Sequence, residues 1–345
     1  MTMPPIPPPG GHLSWRPNDT PPPPRVGMAS ARSRKPWILI GVSVSVVLVL
    51  ILGLLVWQET SRESGSGTGD PSRMADDRID RSVGLLREKD PVCDHWHQAA
   101  DELNARTEVW SEVDDLTPAS RWTPEQKRIY ADVGEAMTAS SDRFESILPQ
   151  ARNVTIQELI AQVIVYLRKY VQALPEYVES DRRYASIAMN FVNAVTYSCS
   201  AVPLVEDMAD DEILVSTVAQ PALLEDFMPS PDQICAEYLS VVELQNTVLS
   251  GWAETDATVA AAQWTEKERA LNNAAREVLL TDSTRVREIA RNAEGRVIGD
   301  LIALQSSYMR AFADAIPTYA PDDVWLWRVS TGIGGGLGAA CGANT

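Results

Sequence analysis

Leu159-Ile160-Ala161, Tyr166, Arg168, Pro175, Tyr177 and Asp181 recur, in the same order and at the same spacing, as Leu301-Ile302-Ala303, Tyr308, Arg310, Pro317, Tyr319 and Asp323. The register extends outward without a gap. Trp122-Thr123 falls on Trp264-Thr265, Trp110 on Trp252 and Arg143 on Arg285. The bounding cysteines, Cys93 and Cys199, fall on Cys235 and Cys341. Chance does not hold a register over a hundred residues, so the chain carries an internal duplication.

Each copy reads as helix throughout. Apolar residues recur at helical spacing from Cys93 through Trp96, Ala100 and Leu103 to Trp110, behind an acidic start at Asp90-Pro91. A second helix opens on the capping box Thr123-Pro124-Glu125-Gln126, and its copy on Thr265-Glu266-Lys267-Glu268. A further box, Thr155-Ile156-Gln157-Glu158, marks the start of a third helix, which Pro175 and Pro317 end. A fourth starts near Ser180-Asp181 and runs to Cys199. Four helices with short connections make an up-down bundle, and no alternating run of strand type competes.

Ahead of the copies, residues 37–57, from Trp37 to Trp57, hold no charge over 21 positions. That length spans a hydrocarbon core, with a tryptophan at each interface. Five bases precede it (Arg16, Arg25, Arg32, Arg34 and Lys35), so the expected orientation places the N-terminus in the cytoplasm and the bulk of the chain outside. No small-residue cleavage site follows Trp57, which favours an uncleaved anchor over a signal peptide. The expected fold class is therefore all-α, with one transmembrane helix and two tandem repeats of a disulfide-tied four-helix bundle. The expected segments are a Pro-rich disordered tail at 1–36, the membrane helix at 37–57, and a linker with a short helix at 58–90. Repeat 1 follows at 91–200, an acidic linker at 201–230 and repeat 2 at 231–345.

Outside a membrane, disulfides persist. The duplication favours Cys93–Cys199 and Cys235–Cys341, each tying the start of a first helix to the end of a fourth. The rival is the cross-repeat pairing Cys199–Cys235 with Cys93–Cys341.

Composition narrows the function. The net charge is −17, and everything beyond the apolar stretch is more acidic still, which excludes a polyanionic nucleic acid as partner. Few lysines against many arginines, with abundant Ala and Asp, match actinobacterial envelope proteins in style. Cys93-Asp94-His95-Trp96-His97 looks like a metal cluster, but residues two apart on a helix diverge, so no metal and no cofactor is expected. The chain lacks a nucleophile elbow and a placed base, so an enzyme is not expected.

Two sets of residues stand out as candidate binding positions. Arg143, Arg168 and Tyr166, with their copies Arg285, Arg310 and Tyr308, are candidates for an anion or ligand pocket. The last helix of the second copy carries Gly334, Gly338 and Gly342 at intervals of four, behind Trp325 and Trp327. A bare backbone face of this kind suits close approach by a partner. The expectation is an anchored extracytoplasmic interaction or accessory module of a cell-envelope assembly, with an envelope protein as its partner. The alternative is a small-molecule or lipid-binding accessory protein.

Overall fold

The computed structural model describes residues 80–113, 115–208, 213–214, 224–228 and 233–342, which fall in one folded unit. The Pro-rich tail and the apolar stretch at 37–57 lie outside the described residues. Among the described residues, no helix is long and apolar enough to cross a membrane.

Repeat 1 is built from α1 (Cys93–Ser111), α2 (Pro124–Ile147), α3 (Val154–Ala173) and α4 (Arg182–Val205). Repeat 2 follows with α5 (Cys235–Leu249), α6 (Glu266–Asn292), α7 (Arg296–Ala315) and α8 (Val324–Ala340). In repeat 1 each helix packs on the next and α4 closes back on α1, an up-down bundle. Trp96 stacks on Phe144 at 4.5 Å inside it. In repeat 2 the chain α5–α6–α7–α8 repeats this order, but α5 leans mainly on α6 and closes less fully on α8.

The duplication holds down to single hydrogen bonds. The Trp122 indole donates to Thr117 O, as Trp264 donates to Val259 O. The Tyr177 hydroxyl donates to Asp115 O at 2.7 Å, as Tyr319 donates to Ala257 O at 2.7 Å. Both capping boxes form, Thr123 with Gln126 and Thr265 with Glu268, each worth about 1 kcal/mol to its helix. Pro175 and Pro317 end α3 and α7 in 3-10 turns. Both intra-repeat disulfides are present, with Cα atoms 5.7 Å apart at Cys93–Cys199 and 5.3 Å at Cys235–Cys341.

Three local expectations are corrected. The expected box at Thr155 does not cap α3: Asn153 does, its side chain accepting from the amides of Thr155 and Ile156. The helix begins at Val154, so Thr155 sits inside the first turn, and its hydroxyl donates to the Asn153 side chain at 2.7 Å. The expected short helix before repeat 1 is extended where it is described. Ser82–Val83 (β1) pairs antiparallel with Ile213–Leu214 (β2), and Leu85 and Leu86 bury in the core. Asp90 is not the cap of α1, whose N-cap is Val92 without a side-chain bond; Asp90 lies two residues ahead and ties two helix starts together. Its carboxylate accepts from Val92 N at 3.0 Å, and from Arg152 N and Asn153 N at 2.8 Å each. One buried side chain thereby joins the starts of α1 and α3.

Candidate functional site at the seam between the repeats

The lead-in to each repeat packs on the other repeat. Residues 82–86 precede repeat 1, and the amide of Leu86 donates to the hydroxyl of Tyr308 in repeat 2 at 3.1 Å. Residues 224–228 stand at the matching place before repeat 2 and pack on repeat 1. There Gln162 brackets the backbone, donating to Glu225 O at 3.0 Å and accepting from Phe227 N at 3.1 Å. The Phe227 ring lies between Tyr166 and Phe191, with centroids 5.7 Å and 5.9 Å away. Tyr166 and Tyr308 are equivalent residues, so the two straps exchange reciprocally, as across a two-fold interface.

Asp226 anchors the second strap. It accepts from the Tyr166 hydroxyl and pairs with Lys169. Burial alone would raise its pKa, but the bonds from Lys169 and Tyr166 outweigh that and hold it below the usual carboxylate value. Burial, then the Asp226 charge, pushes the Tyr166 phenol far up, so it stays a neutral donor.

Two equivalent acids meet at the seam. Glu158 on α3 and Asp300 on α7 occupy the same position in their repeats. Arg296 Nη1 lies 2.5 Å from an oxygen of each. The first copy has Val154 where the second has Arg296. A symmetric pair would leave two carboxylates buried together; the arginine of one copy neutralises one charge, and a proton neutralises the other. Burial, with Asp300 adding to it, pushes the Glu158 carboxyl up to about 8. Burial also raises Asp300.

The sign of the resulting pH dependence follows from linkage. Folded Glu158 holds its proton to a higher pH than the unfolded residue, so its contribution to stability falls as pH rises from about 4.5 to about 8. Glu158→Gln keeps a neutral hydrogen-bonding group and removes the titration. Compared with the native chain, the variant should gain stability steadily across that window, reaching a few kcal/mol above pH 8. Melting midpoints measured from pH 5 to 9 check this; parallel curves for the two proteins would contradict it.

The glycine-rich helix α8 crosses α4 antiparallel. Tyr197 meets Trp325 at 5.6 Å, while Asn190 and Phe191 lie against Gly335 and Gly336. A Cβ on Gly332 would stand 3.1 Å from Ala194 N and 3.2 Å from Asn190 O, so here backbone packs on backbone. Each helical glycine costs about 1 kcal/mol relative to alanine, which close packing of the two helices offsets.

These contacts correct the reading of α8 as a face for an outside partner. Gly334 and Gly338 are buried within the chain; a Cβ on Gly334 would meet the Gln305 amide at 2.6 Å. Trp327 is buried against Trp252 and Phe312, and Trp325 is half-buried under Arg328. Gly342 has φ 85°, the left-handed residue that follows a helix end.

The anion-pocket residues do not converge either. Arg168 lies at the surface between Asp142 and Glu145. Arg310 faces Asp314, Arg285 faces Asp282, and Arg143 is exposed. The tyrosines of the set instead receive the straps. His95 is exposed and His97 half-buried, on the same helix as the disulfide-bonded Cys93.

Sequence reasoning missed Glu158, Arg296, Asp300, Gln162 and Asp226. The equivalence of Glu158 and Asp300 was available from the duplication, because equivalent residues near a two-fold axis must meet.

Comparison with known proteins matches the chain to a family model described as mycobacterial ESX-1 associated protein, twice, over residues 66–203 and 202–345. Both matches include a strap and its bundle. An uncharacterized protein of Mycolicibacterium smegmatis (strain MKD8) is 27% identical over 373 residues, covering 99% of this chain and 97% of its own length. No solved structure matches. The chain therefore belongs to the mycobacterial ESX-1 associated protein family and carries its module in two copies.

Proposed function

We propose that this protein is a non-enzymatic accessory module of ESX-1, held at the membrane by the apolar stretch 37–57 with both repeats outside the cytoplasm. The observation that carries the reading is the double family match over strap and bundle. Two disulfides and acidic surfaces suit a stable presenting body outside the cell membrane. The uncharged stretch between Trp37 and Trp57, with Arg25, Arg32, Arg34 and Lys35 close before it and Arg62 alone among residues 58–72 after it, supports an N-in anchor.

The test is crosslinking in intact mycobacterial cells with an affinity tag on the full chain, followed by mass spectrometry. Recovery of ESX-1 proteins is the expected result. Recovery of none would refute the assignment. A reporter fused after residue 57 that is active only in the cytoplasm would refute the orientation.

A second reading rests on the interior of repeat 2. Tyr238, Gln245, Asn272, Asp282 and Gln305 stand where repeat 1 has Trp96, Leu103, Tyr130, Ser140 and Val163. These polar groups bond mainly to one another, Tyr238 to Gln305 at 2.8 Å and Gln245 to Asp282 at 3.2 Å. Such an interior suits a small polar ligand better than a lipid. Native mass spectrometry of the chain taken from its membrane should then show an added small-molecule mass, and the bare chain mass alone would end this reading.

A further inference from the structure

The outer face of α5 differs from that of its counterpart α1. On α1 the face carries Glu102 and Arg106, both exposed, with Glu102 accepting from Gln98 at 3.1 Å. One apolar side chain, Val109, is exposed on that face a turn further on. On α5 the same positions hold Leu244 and Val248, which are 51% and 54% exposed. They stand one helical turn apart and form a ridge. The ridge ends with the helix at Leu249; Gly251 beyond it adds no side chain and stands where repeat 1 carries Val109. The internal copy acts as a control: the bundle is built equally well with a charged ridge, so the apolar one is not required for folding.

The charge around the ridge selects its occupant. No Lys, Arg or His occurs between Tyr184 and Glu266, a stretch that includes the exposed Glu237, Glu243 and Glu254. A second copy of this chain would bring the same acids against them, and an anionic lipid surface would be repelled. An amphipathic helix with apolar residues at i and i+4 and basic flanks would bury Leu244 and Val248 and neutralise the acids.

We propose that the ridge of Leu244 and Val248 on α5 is the docking surface for a basic-flanked amphipathic helix of a protein partner. This deepens the accessory-module reading above and rests on it for the setting, though not for the chemistry.

The experiment uses the full chain in the cell, with a photo-crosslinking residue at position 244 and, for comparison, at position 102. A second arm carries Leu244→Glu with Val248→Arg, the pair that repeat 1 already tolerates at these positions. The expected result is an adduct at 244 and none at 102, joined to a peptide with apolar residues at helical spacing between Lys or Arg. The double variant should keep its melting midpoint and lose that partner at least about tenfold. An adduct of the chain with itself, an adduct with lipid only, or no adduct would overturn the proposal, as would full retention of the partner by the double variant. The two readings fail separately. ESX-1 proteins still held by the double variant would leave the proposed function standing and remove only this surface. A basic-flanked partner at 244 that is foreign to ESX-1 would do the reverse.

Discussion

Leucine at Gly332 is expected to destabilise the chain by more than about 3 kcal/mol, because it forces α4 and α8 apart. The atoms its Cβ would meet are Ala194 N, Asn190 O and Ala194 Cα, at 3.1, 3.2 and 3.3 Å. All three are backbone, so no side-chain rotation relieves the clash. Moving α8 outward would break the packing of Gly335 and Gly336 on Asn190 and Phe191 and strain the reciprocal straps at Tyr166 and Tyr308. For a unit of this size the melting midpoint should fall by roughly 6–12 °C. Gly251→Ala is the control: its Cβ meets open space, and the midpoint should hold or rise slightly. Equal midpoints for Gly332→Leu and the native chain would mean that the seam is loose.

Removal of the second disulfide, by Cys235→Ala with Cys341→Ala, should cost about 4–5 kcal/mol, from the chain entropy released by opening a loop of this length. Cys93→Ala with Cys199→Ala opens a loop of equal separation, 106 residues. The second pair should nevertheless prove the more sensitive. α1 closes onto α4 through packing as well as through its disulfide, whereas α5 leans mainly on α6 and meets α8 less fully. The Cys235–Cys341 bond therefore carries more of the closure. Calorimetry should show the midpoint falling by roughly 10–18 °C for the second pair. A larger fall for the first pair would contradict the packing argument.

The bundle architecture was legible in the sequence because its determinants are local or repeated. The boxes at Thr123 and Thr265, the prolines at 175 and 317 and the helical periodicity each act within a turn or two. The cysteine pairing followed from the duplication. What could not be read was how the copies face each other. Asn153 outcompeted the Thr155 box through a local contact, but Leu86 reaches Tyr308 across 222 positions, and no periodicity encodes that. The glycines of α8 were recognised as a surface for close approach. Their occupant was misjudged, because a helix stripped of side chains shows that something approaches, not whether it belongs to the same chain. Tyr166 and Tyr308 were singled out as shared aromatics and a pocket was expected around them; the straps fill that role instead. The charges at Arg168 and Arg310 are surface ion pairs of small energetic weight. Glu158 reads in the sequence as the last residue of the Thr155 box, and nothing local shows that it and Asp300 turn inward to share Arg296.

The two copies form one body through exchanged straps and a shared glycine seam. Both disulfides lie within a repeat, so no covalent bond other than the connecting chain joins the halves. A protease site inserted between residues 215 and 222 and then cut tests the claim directly under non-reducing conditions. The two fragments should remain together as a 1:1 complex in native mass spectrometry and size-exclusion chromatography, with a single melting transition. Two fragments that separate and melt independently as folded bundles would contradict it.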